Sequence, residues 1–526
     1  MIAKILNKIK NLTFNRFDTI TTTVIICSVA IIFLRTYYFG TCISPDSANY
    51  LRAARGIADG NGFYVNKLAG DVHFWFATWP IGYPALIAMV ACITKTNVYL
   101  SAKILSVLVL LVIVGILRRR FKSRAWLFSV SFLMSGFIWI FSYVWSEQLL
   151  LLGLLWFSFA LYDVLCCGKV SFARMLSLSF SSLFLFLSRY IGAFSIVAMS
   201  FFAGLIFLEQ VLRKLREPKE QMKAVWLLIV SIINAILMYV YLYNNKIHSG
   251  FATGMERIPA PESFSVLTKQ LVGCELREIS SLFAHHGWLS LGAVLSLVVL
   301  GILCFLVWKH TRALINYLLA YRSHPGVILG AVGLFYWVCI VLMRFRTQFD
   351  QFNFRLLYPA TFMFLIAALS VLVEVFPEKT TSIEKKIRIQ HVLAICLIMV
   401  FLLNRDIIRL YGGKVTGRKL NGYEQMKSEL LEKYKTIDSG ALVLGYDINA
   451  LFLRPDLQFD TPRFAPYFRK ETMENCLLRL KDQRTIIVDV EVMKNELKEE
   501  GRSYDCSVYE YFHERLKPGE YFVKIK

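Results

Sequence analysis

Ten ionisable residues stand out in this otherwise apolar chain of 526 residues: Asp46, Asp59, His73, Glu147, Arg189, Arg257, Arg344, Arg346, Asp350 and Arg355. A positioned carboxylate takes a proton from a hydroxyl, and an arginine fork grips a phosphate through paired N–H groups. Each residue alone also has an ordinary reading. Asp46 caps a helix in "SPDSANYLRAARGIADGNGF" (44–63), Glu147 is a solvated acid at a loop end, and each arginine snorkels at a membrane interface.

These residues need elements that hold them, and composition says what kind. The chain is 56% hydrophobic and only 18% charged, against roughly 25% charged for a soluble domain. Several apolar runs reach the ~20 residues that cross a bilayer as helix, so the chain is a polytopic membrane protein. Its formal charge of +22 is one signature of nucleic-acid binding. Here, however, the excess sits in short loops between apolar runs, which is the positive-inside pattern, and no nucleic-acid partner is expected. Most cysteines, such as Cys27, Cys304, Cys339 and Cys396, lie in apolar runs and read as small buried hydrophobes. Cys42 and Cys274 fall in outer loops and Cys476 and Cys506 in the tail, where pairing is open. No CxxC or Cys/His spacing marks a metal site.

Lys4, Lys8, Lys10 and Arg16 place the N-terminus inside, before a retained first anchor at about 18–39. The stretch 40–96 is then an outer loop carrying short amphipathic surface helices. Spans are expected at about 98–117, which ends in "RRRFKSR", then at 125–144 and 148–165. The run 175–208 has basic flanks on both sides, so it must cross an even number of times. It splits into two spans at "SRYIG" (188–192). Further spans follow at about 224–243, 288–308, 326–343, 356–376 and 389–404, with an outer loop at 244–287. That makes about eleven spans, a membrane domain over 1–404 and an extracytoplasmic tail over 405–526. Alternating strand and helix signals, "GALVLGYDINALFL", "RKETMENCLLRLKD", "RTIIVDVEVM" and "GEYFVKIK", make the tail a small α/β domain. All ten ionisable residues then fall on the outer face.

Within the first outer loop, Ser44 or Asp46 caps a helix, Pro45 suits its first turn and Gly60 its end. In "HFWFATWPIGYPALIAMV" (73–90), Trp75, Trp79 and Tyr83 suit an interfacial aromatic belt, while two prolines and Gly82 interrupt any helix. "FDQFNFRLLYP" (349–359) sets Arg355 at the head of a span, with Pro359 in its first turn.

The order of these motifs along the chain resembles the polytopic GT-C glycosyltransferases, specifically family 39 and the related protein O-mannosyltransferases and aminoarabinose transferases. The residues that carry it are "SPDSANYLRAARGIADGNGF", "WPIGYPALIA", "VWSEQLLLLGLL", "LSRYIGAF", "ATGMERIPAP" and "FNFRLLYPA", over about 44–360. The tail matches no part of that family closely. Where the protein-mannosylating pattern has two adjacent acids, this chain has Asp46 and Ser47, which argues against that branch. The resemblance implies a polyprenyl-phosphate sugar donor, transfer on the extracytoplasmic face of a bacterial inner or plasma membrane, and Asp46 as the base. The acceptor would be a lipid, glycan or protein.

One carboxylate suffices on chemical grounds, because phosphate leaves without a strong general acid, whereas glycosidases use two carboxylates on an alcohol leaving group. Arg355, Arg257 and Arg189, in that order, are candidates to take the phosphate charge. Glu147 would orient the acceptor or a metal-bound water, and Tyr83, His73 and Tyr358 complete the candidate substrate-binding set. The pattern requires no cofactor and leaves room for a divalent cation. Two rival classes are a transporter or lipid flippase, for which repeated halves and midplane charges are the signs, and a non-catalytic scaffold. The sequence has no evident repeat, and its acids gather at outer ends.

Overall fold

The computed structural model describes residues 16–38, 42–66, 73–166, 170–212, 217–254, 257, 259–280, 301, 324–375, 422–439, 441–444, 450, 453–454, 456–460, 486–489 and 522–525. The chain is mostly helical. In order come α1 (Arg16–Tyr38), α2 (Pro45–Ala58), a hairpin of β1 (Tyr64–Asn66) and β2 (His73–Trp75), α3 (Gly82–Thr94) and α4 (Val98–Phe121). A 3₁₀ stretch (Lys122–Leu133) leads to α5 (Ser135–Ser142), α6 (Glu147–Cys166) and α7 (Phe172–Ser188). Then follow α8 (Phe194–Leu212), α9 (Pro218–Ser249), α10 (Phe264–Ser280), α11 (Pro325–Arg346) and α12 (Phe354–Val375).

Seven helical stretches among the described residues are long and apolar enough to cross a membrane, and α3 and α7 are shorter apolar helices. The expected spans at 288–308 and 389–404 lie outside the described residues. The helix α6 is the centre of the bundle, with 72% of its apolar window buried against 28% for α1 and α9. Phenylalanines fill the core around it, including Phe137, Phe141, Phe157 and Phe362.

The break at "SRYIG" is present: α7 ends at Ser188, Arg189 is its C-cap, and one 3₁₀ turn (Tyr190–Ala193) starts α8. Gly192 makes the turn possible, since a Cβ there would lie 2.3 Å from the Leu185 carbonyl oxygen.

Other expectations need correcting. The expected span 125–144 is not one α-helix but a 3₁₀ stretch followed by the eight-residue α5. Prolines do not break the second half of the first outer loop. Pro84 falls in the first turn of α3, where a missing N–H costs nothing, and α3 buries Tyr83, Ile87 and Ala91 in the bundle. Much of 244–287 is helix, because α9 runs on to Ser249 and α10 begins at Phe264. Pro359 is the sixth residue of α12, past its first turn. It removes the amide that would bond the Arg355 carbonyl, and Tyr336 Oη donates to the next carbonyl, Leu356 O, at 2.8 Å.

The two ends of the bundle carry different ion pairs. At one end Arg118 Nη2 meets Asp18 Oδ2 at 2.9 Å and Arg120 Nη1 meets Asp163 Oδ1 at 2.6 Å. Asp163 lies sixteen residues along α6 from Glu147, about 24 Å at the helical rise. Described parts of the tail comprise α13 (Gly422–Lys433) and a parallel sheet of β3 (Leu442–Leu444), β4 (Gln458–Asp460), β5 (Ile486–Asp489) and β6 (Phe522–Ile525). The strand order is β4-β3-β5-β6. The segment 469–482, expected as helix, lies outside the described residues, as do Cys304, Cys396, Cys476 and Cys506. Cys42 and Cys274 form no disulfide among the described residues.

Candidate active site

The helix α2 aims Asp46. Ser44 is its N-cap, with Oγ accepting from Ser47 N at 3.3 Å, and Pro45 opens the first turn. The Trp145 indole reinforces the cap by donating to Ser44 Oγ at 2.7 Å. Asp46 is therefore not the cap. It sits in the first turn, where unpaired backbone N–H groups favour a negative charge, and its carboxylate is free to pair elsewhere. Its partner is Arg355, whose Nη2 reaches Asp46 Oδ2.

Glu147 anchors that arginine. It opens α6 with its side chain fully buried, so it is not a solvated loop-end acid. Its Oε1 accepts from Arg355 Nε and from Arg189 Nη1, while Oε2 has no partner among the described residues. Two carboxylates and two guanidiniums thus alternate in one connected chain, Asp46, Arg355, Glu147 and Arg189. Burying such charges is tolerable only when each is paired, and the alternation meets that condition. Trp145 adds a second hold on Arg355, whose guanidinium carbon lies 4.6 Å from the indole centroid.

Aromatic residues wall the site. Tyr50 is wholly buried and shares a hydrogen bond of 3.0 Å with Ser146 Oγ. Burial, and then the Asp46 charge, push its phenol above the usual tyrosine range. Tyr83 stands edge-on to Tyr50 at 5.3 Å between centroids, and its Oη has no partner among the described residues. Trp79 flanks Tyr50 at 5.8 Å.

At the rim lies Asp350, in the loop before α12. The surrounding protein, and then the Asp46 charge, raise its carboxyl above the usual aspartate range, although the residue stays exposed. Arg344 fixes this loop. It is 1% exposed, donates from Nε to Asp350 O at 3.0 Å and forks onto Glu262 at 2.5 and 3.3 Å. A bridge between Pro259 and Thr347 continues the same strap.

Of the residues singled out in sequence, Asp46, Glu147, Arg189 and Arg355 come together, with Tyr83 beside them. Arg257 does not join the ion-pair chain; it is exposed, and its Nε donates to Thr253 Oγ1 at 3.0 Å. Tyr358 is buried one turn along from Arg355, with its ring against Gly136, where a Cβ would lie 2.3 Å away. His73 lies in β2 with Asn66 as its register partner, and its side chain is outside the described residues. Tyr50 and Trp145 were not singled out. Their signal was proximity to motif residues, Tyr50 one helical turn from Asp46 and Trp145 two residues before Glu147. Among the described residues no group of three or more His, Cys, Asp or Glu could hold a metal ion.

No protein-family model matches the chain, and no curated protein matches it. Solved structures do. The apo oligosaccharyltransferase of Archaeoglobus fulgidus has TM-score 0.50 and 11% identity over 94% of this chain and 72% of its own. The same organism's AglB, in complex with an inhibitory peptide and a dolichol-phosphate, has TM-score 0.49 and 11% identity over 90% and 70%. ArnT from Cupriavidus metallidurans, bound to undecaprenyl phosphate, has TM-score 0.47 and 11% identity over 94% and 90%. At these identities the likeness concerns architecture alone: over 94% of its length the chain is similar in fold to the oligosaccharyltransferase of Archaeoglobus fulgidus.

Proposed function

We propose that the chain is an integral-membrane glycosyltransferase that moves a sugar from a polyprenyl-phosphate carrier to a hydroxyl of a lipid, glycan or protein. The observation that carries this reading is the pairing of Asp46 with an Arg355 held from behind by buried Glu147. The reading includes about eleven spans, a cytoplasmic N-terminus, and the site and tail domain outside a bacterial inner or plasma membrane.

The resting pair suggests how the base is released. Arg355 binds Asp46 through Nη2 and Glu147 through Nε. A donor phosphate entering beside Asp46 competes for Nη2, while Nε keeps its anchor. Asp46 then loses its partner and is free to turn to the acceptor hydroxyl. It takes the acceptor proton as the acceptor oxygen bonds the anomeric carbon. The bond from that carbon to the phosphate oxygen breaks, its electron pair leaves with the phosphate, and Arg355 meets the new charge. Arg189 adds to the positive field, and Arg257 contributes from the exposed side. A single direct displacement inverts the anomeric centre, which NMR of the product linkage tests. The scheme requires no metal and leaves room for a divalent cation.

A transporter or flippase is the alternative. The test is purified full-length protein with a panel of radiolabelled polyprenyl-phosphate sugars and mixed acceptors, wild type beside Asp46→Asn. Loss of label from a carrier in wild type only supports transfer. Donor unconsumed with every acceptor, or consumed equally by Asp46→Asn, rules the proposal out.

A further inference from the structure

Arg355 and Arg189 both grip Glu147, and each stands at an irregular point of the backbone. Arg189 is the C-cap of α7, just before the 3₁₀ turn that leads into α8. Arg355 is the second residue of α12, and Pro359 follows it inside the same helix. A proline in a helix removes the bond to the carbonyl four residues back, and its ring presses on that carbonyl. Here that carbonyl belongs to Arg355. The ladder of α12 therefore holds its own first turn weakly, at the residue that pairs with Asp46.

Side chains make up the difference. Asn353 Oδ1 caps the turn by accepting from Leu356 N at 3.1 Å. Phe354 stands edge-on to Trp139 at 5.1 Å between centroids, and the Tyr358 ring fills the space left by Gly136. A further contact comes from α11, where Tyr336 Oη donates to Leu356 O at 2.8 Å. Tyr336 is 1% exposed, and its ring meets Phe194 edge-on at 6.0 Å. Phe194 opens α8 directly after the 3₁₀ turn. One buried phenol thus touches both irregular segments, the head of α12 through its hydroxyl and the head of α8 through its ring. A side chain that only filled the core would need the ring alone.

We propose that Tyr336 is a positioning residue, which ties the turn carrying Arg355 to the turn that follows Arg189 and so fixes both guanidiniums on Glu147. It acts through the arginines and not on the substrate. Its hydroxyl replaces, from α11, the tether that Pro359 takes out of α12. Placement matters at this point, because a shift of about 1 Å in a positioned group costs on the order of 10²-fold in rate. That the two arginines serve a departing phosphate rests on the proposed function, whereas the tether itself does not.

The test is hydrogen–deuterium exchange at the head of α12 in the full-length protein in detergent, beside steady-state sugar transfer. Wild type, Tyr336→Phe, Pro359→Ala and the double variant are compared. Tyr336→Phe keeps the ring and its packing on Phe194. It is expected to speed exchange of the Leu356 and Leu357 amides. It is also expected to lower kcat/KM for the donor roughly threefold to tenfold, the worth of one hydrogen bond, with KM for the acceptor unchanged. Pro359→Ala supplies an N–H for the Arg355 carbonyl, and in the double variant it is expected to return both readings toward wild type. If Tyr336→Phe does not fold, Asn353→Ala loosens the same turn from its other side and takes its place in the comparison. Exchange unchanged by Tyr336→Phe, or additive effects of the two substitutions on exchange, refute the tether. Faster exchange with donor kcat/KM unchanged, or with acceptor KM raised instead, refutes the positioning role. If wild type itself consumes no donor, the proposed function falls, and exchange alone still decides the tether.

Discussion

Arg355 and Glu147 stand 208 residues apart in the chain, yet Arg355 Nε donates to Glu147 Oε1 at the buried head of α6. This contact turns the rest of the guanidinium toward Asp46. It makes Glu147 the fixed point of the site and Asp46 the group that is free to change partner.

Asp46→Asn is expected to abolish sugar transfer while leaving the fold. The amide keeps the helix-start position and its shape, and Ser44 remains the N-cap. Loss of a positioned base costs about 10²–10⁴-fold in rate. Transfer of labelled sugar and thermal unfolding, measured on one preparation, separate the two effects. A variant that unfolds would mean that the carboxylate has a structural role.

Glu147→Gln is expected to damage stability more than Asp46→Asn does. It leaves buried Arg355 and partly buried Arg189 without their shared charge, and breaking a buried pair costs about 3–5 kcal/mol. Arg189→Met removes one of the two. A double-mutant cycle of Glu147→Gln with Arg189→Met should give a coupling of about 0.5–3 kcal/mol. Strict additivity would show that the ion-pair chain does not act as a unit.

Trp145→Phe keeps a ring but loses the indole donor to Ser44 Oγ and weakens the face presented to Arg355. A cation–π contact is worth about 0.5–2 kcal/mol, so a fall of several-fold in kcat is expected, with the acceptor KM little changed. The kinetic split is the readout. Unaltered kcat would show that the indole does not position the site.

The strap from Glu262 to Arg344 gives a pH dependence. Arg344, through its hydrogen bonds, holds the Glu262 carboxyl below the usual glutamate range. A depressed folded value means that the unfolded chain takes up the proton first. Its stabilisation is therefore complete above the ordinary glutamate value and is lost as pH falls through the lower, folded one. Tm is expected to fall more steeply in acid for wild type than for Glu262→Gln, in a scan from about pH 6 to pH 3. Parallel curves would remove Glu262 from the acid response.

What could be read from sequence was local. Hydrophobic runs and basic flanks placed most of the described spans and required the break at Arg189, because crossing number and loop charge are properties of short windows. Ser44, Pro45 and Gly60 marked the ends of α2 for the same reason: caps and turn residues act on their own backbone. Where local rules misled, packing had overruled them. Pro84 signalled a broken helix, but Tyr83, Ile87 and Ala91 share a buried face, and burial holds α3 together.

Sequence by itself set the membrane class and the two ends of α2. Only the tertiary structure decided that Glu147 is buried rather than solvated, that Arg355 is shared between it and Asp46, and that Arg257 stands outside the chain of ion pairs. The physical reason is that a charge's partner, unlike a helix cap, is set by contacts across the bundle between residues hundreds of positions apart, and no periodicity in the sequence records them.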